Sequence, residues 1–340
     1  MFRSFKSALV ALAFLSAASA AEAQVDFTRY VAVGDSLTAG FMSGSLVQTG
    51  QVNSYPALLF RQATGQATGF EQPLVSQPGI PGVLRLTSLV PVIVAPTPGR
   101  GNPLNLNLQR PYNNLAVPGA DARDVLARVT DGGGLHDLIL RGLGTQVQQA
   151  RALNPTFVSI WVGNNDALAA ATSGIINDTT LTPLASFEAD YRAIVAQLAQ
   201  PGVELAIANI PDVATIPYVT TIPSVLVNPA TNQPVVINGN LVPLLGPNGP
   251  LTAADRVLLP ASAALAQGIG IPQAAGGTGQ PLPDSLVLSA AEVATIRARV
   301  AAFNTVIRTV ANERGAAFVD ANAILQRAAT TGLQVGGINY

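Results

Sequence analysis

The sequence has no cysteine and a single histidine. The first absence excludes disulfides, thiolate metal sites, a cysteine nucleophile and a lipid-modified N-terminal cysteine. The second argues against a histidine-built metal centre, and any serine–histidine chemistry within these residues must use His136. Charge is scarce too: 11% of 340 residues are charged and the formal net charge is −1, which offers no electrostatic reason to expect a nucleic-acid partner. No lysine follows Lys6, so every later basic residue is arginine. Nothing downstream of the N-terminus reads as a membrane span. The longest uncharged run, Val213 to Ala254, is broken repeatedly by proline, asparagine and glycine. With 49% hydrophobic residues, the chain is far from the composition of a disordered one.

The first 23 residues read as an export signal. Arg3 and Lys6 form a basic start, and Ala8 to Ala20 is an uncharged apolar stretch too short to span a bilayer comfortably. Two small-x-small sites follow, Ala18-Ser19-Ala20 and Ala21-Glu22-Ala23, with cleavage expected after Ala23. The expected location is periplasmic or secreted.

From residue 24 on, strands alternate with helices. Strands are expected over Tyr30 to Val33, Asn113 to Val117, Thr156 to Val162, Val203 to Ala208 and Ala317 to Val319. Helices are expected over Tyr55 to Ala63, Asp121 to Val129, Ser186 to Ala199 and Ala321 to Thr330. A long helix should open with a capping box at Ser289-Ala290-Ala291-Glu292 and bury Val293, Ile296, Val300, Phe303, Ile307 and Val310. Strands that are apolar nearly throughout suit a parallel sheet covered on both faces. The expected fold class is therefore α/β, a three-layer α/β/α sandwich over residues 24–340. Two proline-rich insertions interrupt it, at about 72–111 and 213–288. The first has eight prolines in forty residues; the second has eleven prolines and, before Asp284, only Asp255 and Arg256 as charges. Within the second, Asn238-Gly239 between apolar runs signals a hairpin.

In open parallel sheets, sites form beyond the carboxyl ends of the strands. Three such ends carry Gly34-Asp35-Ser36-Leu37, Asn114 to Gly119, and Gly163-Asn164-Asn165-Asp166. They offer a hydroxyl, a glycine amide and a carboxamide, the inventory acyl transfer needs: a nucleophile, and donors aimed where a tetrahedral oxyanion forms. Taken singly, each has an ordinary reading: a serine capping the next helix, a turn glycine after Pro118, an asparagine in an Asx-turn. Their order along successive strand ends is what favours a site.

Those three blocks resemble the SGNH or GDSL hydrolases, a family of esterases, lipases, thioesterases and carbohydrate deacetylases with an α/β/α sandwich fold. The resemblance covers about Arg29 to the C-terminus outside the proline-rich stretches. It implies Ser36 as nucleophile, with its own amide, the Gly119 amide and the Asn165 side chain as the oxyanion hole. It implies no metal or organic cofactor. The family's fourth block, Asp-x-x-His after the last core strand, has no counterpart here: that strand ends at Asp320, and the chain runs to Gly336-Gly337-Ile338-Asn339-Tyr340.

Such an ending reads as truncation, with a natural fragment, an incomplete gene model and a true pseudoenzyme as the alternatives. His136, in a glycine-rich stretch with Asp137 as its neighbour, is expected to be a surface residue. Asp166 and Asp320 are not expected to replace a histidine. Two functions remain: an exported serine hydrolase of carboxylic esters, acting on a small-molecule or lipid substrate, or a non-catalytic protein of the same fold that binds esters, lipids or glycans.

Overall fold

The computed structural model describes residues 25–89 and 92–339. The expected export signal lies outside them. Strand β1 (Tyr30–Gly34) is followed by a single helical turn, α1 (Ser36–Ala39), and by α2 (Tyr55–Thr64). The first insertion contains a hairpin, β2 (Leu84–Leu89) and β3 (Val92–Pro96), which no turn signal in the sequence had announced. Helices α3 (Ala122–Ala127), α4 (Leu135–Leu140) and α5 (Gln146–Ala152) precede β4 (Phe157–Trp161). Then come α6 (Asn165–Ser173), α7 (Leu184–Leu198), β5 (Glu204–Ala208), α8 (Ala290–Glu313), β6 (Ala317–Val319) and α9 (Ala321–Thr330).

The central sheet is parallel, in the order β1-β4-β5-β6, with Gly34 opposite Trp161 and Ile160 opposite Ile207. Because side chains alternate across a strand, β1 and β4 feed two cores at once. Val31, Val33, Val158 and Ile160 pack into the larger one, with Phe187, Ile194, Phe303 and Ile307 from α7 and α8. The Phe187 and Phe303 rings stack there at 4.0 Å between centroids. Tyr30, Ala32 and Phe157 face the other way, against Phe60 of α2 and Phe70. Helices therefore cover both faces, which makes the molecule an α/β/α sandwich. The capping box at Ser289 forms, and the six expected residues of α8 are buried.

Asn113 to Val117 departs from expectation. It runs parallel beside β1, with Leu115 N–H donating to Ala32 and Val117 N–H to Gly34, yet only Ala32 and Asn114 form a bridge. The Asn114 side chain accepts from Ala116 N–H at 3.2 Å, a local bond that draws the backbone out of a regular ladder. The second insertion holds short hairpins and a small core of its own, built on Leu244, Val257, Ala261, Leu282 and Val287. Its turn at Asn238-Gly239 has positive φ at both residues, as a two-residue hairpin turn requires. This insertion leaves the sheet at the carboxyl end of β5 and rejoins it at the start of α8, so both its attachments lie on the side of the strand exits.

Candidate active site

Ser36 is the first residue of α1, directly beyond the carboxyl end of β1. The strand-to-helix turn here is tight: a Cβ on Gly34 would sit 2.4 Å from the Trp161 carbonyl oxygen and 2.3 Å from Thr38 Oγ1, so only glycine fits. Asp35 caps the turn, accepting from Leu37 N–H at 3.0 Å. Its other oxygen accepts from the Asn164 side chain at 2.6 Å, which ties the exit of β1 to the exit of β4.

Further bonds join the third loop. Asn165 Nδ2 donates to the Ala120 carbonyl at 2.8 Å, and Asp166 Oδ2 accepts from Ala122 N–H at 2.9 Å. On the far side, Asn114 Nδ2 donates to the Thr38 carbonyl at 2.9 Å. The three strand exits are thus linked pairwise in a ring, and neighbouring strands lie only about 4.8 Å apart. This ring brings Ser36, Gly119 and Asn165 to one end of the sheet. Ser36 and Asn165 are half-buried and Gly119 is exposed. Gly119 has φ +89°, a conformation few other residues adopt, and a Cβ there would meet nothing within 4 Å. Its N–H donates to no acceptor among the described residues. The Ser36 N–H, first in its helix, belongs to the donors that a helix start leaves unpaired. One of the two Asn165 amide hydrogens is also uncommitted. The arrangement can present several N–H donors around one hydroxyl.

Two buried carboxyls support the ring. Burial pushes Asp35 up to about 6 against the opposing pull of Asn164. Burial likewise pushes Asp166 up to about 7, against the Ala122 N–H. Sequence reasoning singled out neither of these roles, nor that of Asn164. The signal was present in the polar letters of Gly-Asp-Ser-Leu and Gly-x-Asn-Asp, which are too many for strand exits that only cap helices.

His136 corrects an expectation. It is buried at 4% exposure, not on the surface, because α4 turns His136, Ile139 and Leu140 inward together. Its Nδ1 lies 3.2 Å from the Asp131 carboxylate, which also accepts from the His136 and Gly134 N–H groups. The glycine-rich stretch is thus wrapped around Asp131, while Asp137 turns its own carboxylate to Gly133 N–H. Among the described residues, His136 Nε2 is buried without a partner. Asp320 caps α9 through Ala323 N–H and binds Asn209 and Arg308, away from Ser36. No cluster among the described residues could hold a metal ion. Two further cavities lie elsewhere in the fold. One, of about 730 Å³, lies between Pro211–Thr215 and α9; the other, of about 570 Å³, lies in the second insertion against Ile222, Leu226, Leu244 and Leu265. Neither is lined by Ser36, Gly119 or Asn165.

The family profile described as GDSL-like Lipase/Acylhydrolase matches residues 30–333, nearly the whole described chain. The chain belongs to this family. GDSL-like membership supports an ester-hydrolysing function and accords with the α/β/α sandwich. Among solved structures, an extracellular lipase from Streptomyces rimosus is 18% identical over 87% of this chain and 81% of that one, at a TM-score of 0.32. A phospholipase A1 from Streptomyces albidoflavus is 15% identical over 91% and 89%, at a TM-score of 0.35. No curated protein matches. No helix of the described GDSL-like chain is long and apolar enough to cross a membrane.

Proposed function

We propose that this GDSL-like chain is an exported serine hydrolase of carboxylic esters, of the esterase or lipase type. Ser36 is the nucleophile, and the Ser36 amide, the Gly119 amide and the Asn165 side chain form the oxyanion hole. The observation that carries this reading is the hydrogen-bonded ring that sets one serine between two loops with uncommitted N–H donors. In the reaction, Ser36 Oγ bonds to the ester carbonyl carbon while a base takes its proton. The former carbonyl oxygen carries the negative charge toward the three donors. Collapse expels the alcohol, which takes a proton, and water then releases the acid from Ser36.

The base is the weak point of the constellation. The one histidine has the orientation a general base needs, Nδ1 on a carboxylate, but its described contacts tie it to Asp131 and not to Ser36. That observation favours, as the second reading, an ester- or lipid-binding protein with the same cleft and little turnover. A fluorophosphonate probe separates the readings, with the adduct mapped by mass spectrometry. Slow labelling of Ser36, lost in Ser36→Ala and slowed in Asn165→Ala, supports a nucleophile facing donors. Labelling confined to other residues removes Ser36 from the role. Export is checked separately: the protein purified from an exporting host should begin at Gln24 or Ala21, and an intact Met1 overturns it.

A further inference from the structure

We propose that the β2–β3 hairpin is an anchor for an anionic lipid surface, set beside the Ser36 turn. Leu84 pairs with Pro96 and Leu86 with Val94 in antiparallel register, and residues two apart share a face. One side of the hairpin is therefore Leu84, Leu86, Val94 and Pro96. These are not core residues: Leu84 is 41% exposed, Leu86 55% and Val94 41%. The hairpin is a two-stranded sheet to itself, and none of its described side chains is buried. A lone hairpin is marginal in water and needs a covering surface, which the described fold does not supply. Contiguous exposed apolar side chains of this kind mark a partner or a membrane.

Two observations select lipid and its charge. The first is continuity with the site. Leu84 N–H donates to the Ser43 carbonyl at 2.7 Å, and the Leu84 side chain lies over Gly44. That turn follows α1 through Gly40, so the hairpin stands on the chain leaving Ser36. Leu37 and Met42, at 39% and 43% exposure, extend the apolar surface along this same chain. The second is charge. Between Asp35 and Asp121 the only acid is Glu71, against Arg61, Arg85, Arg100 and Arg110, in a protein whose net charge is −1. Arg85 projects from the opposite face of the hairpin, across from Ala95, and is exposed. Neither Arg85 nor Arg100 forms an ion pair among the described residues. An apolar face with an exposed arginine on the opposite face fits an element lying in the interface of an anionic bilayer, where chain carbons cover the leucines and headgroup phosphates meet Arg85.

The proposal stands apart from the reading of Ser36, because surface binding is measured without turnover. The absence of cysteine allows a single environment-sensitive fluorophore to be placed at will. Leu86→Cys and, as control, the exposed Gln200→Cys carry the label in otherwise full-length protein. Vesicles of phosphatidylglycerol with phosphatidylcholine should blue-shift the label at position 86 and leave the one at position 200 unchanged. Phosphatidylcholine alone should give a much smaller shift. Arg85→Gln in the labelled Leu86→Cys protein should weaken the response about fivefold in vesicle concentration. Val94→Asp should weaken it about tenfold or more, with the melting temperature of both variants unchanged. An unshifted label at 86, an equal shift at both positions, or a shift driven by protein concentration without vesicles overturns the proposal.

Discussion

Asp166 makes the stability of this protein depend on pH in an unusual direction. Its carboxyl is buried in the first turn of α6, beside Asn165, and burial pushes it up to about 7, whereas an unfolded aspartate titrates near 3.9. Between those values the folded chain holds a proton that the unfolded chain has released. Stability must then fall as pH rises from about 4 to about 7, and level off above. Each unit is worth about 1.4 kcal/mol, so roughly 3 kcal/mol separates pH 5 from pH 8 through this one group. Asp166→Asn keeps an acceptor for Ala122 N–H and removes the titration. Urea unfolding of both proteins at pH 5 and pH 8 isolates the effect, since groups that do not interact with Asp166 cancel in the double difference and only its charged neighbours Asp35 and Asp121 leave a smaller remainder. The variant should gain about 2–3 kcal/mol relative to the parent on going from pH 5 to pH 8. A double difference near zero, or one of opposite sign, refutes the claim that Asp166 is held neutral by burial.

Two further substitutions probe the ring of strand exits. Gly34→Ala sets a methyl against the Trp161 carbonyl and Thr38, and should cost about 1–3 kcal/mol of unfolding free energy, visible as a lower urea midpoint. Asn164→Ala removes the donor from the buried Asp35 carboxylate and should destabilise by about 1–3 kcal/mol. Asn164 supports the charged form of a group that burial has already raised to about 6, so this loss should be larger at pH 8 than at pH 5; an equal loss at both rejects the assignment.

The sheet was readable because β1 and β4 are buried on both faces and carry apolar residues at nearly every position. The period of α8 and its capping box were equally plain, since Ser289, Glu292 and the six inward residues obey one helical geometry. Asn113–Val117 was misjudged because apolar letters do not reveal the Asn114 side chain bonding to its own backbone. The β2–β3 hairpin escaped notice because its short alternation, Leu84-Arg85-Leu86-Thr87, lies in a stretch dense with prolines, and none of its described side chains is buried to mark a core face. His136 was placed on the surface from its glycine-rich approach, yet those glycines serve to fold the loop around the Asp131 carboxylate. The positions of Ser36, Gly119 and Asn165 at strand exits followed from their order in the chain. The carboxyls that bind those exits together depend on contacts 40 to 130 residues apart, which no local pattern encodes.

The hydrolysis of p-nitrophenyl acetate by the 340-residue chain, beside Ser36→Ala, Asn165→Ala and His136→Ala, tests the central claim most directly. In subtilisin, removing the triad histidine costs on the order of 10⁶ in kcat, and the oxyanion hole and binding supply what remains. With no histidine on Ser36, the parent should turn over far below ~1 s⁻¹, and Ser36→Ala and His136→Ala should change that little. Asn165→Ala should lower the residual rate, because its amide still faces the charge that forms when water or hydroxide attacks a bound ester. Turnover at ordinary enzyme rates of about 1–10³ s⁻¹, abolished by Ser36→Ala, would uphold Ser36 as the nucleophile but contradict the claim that no base among the described residues reaches it; loss in His136→Ala would then name that base.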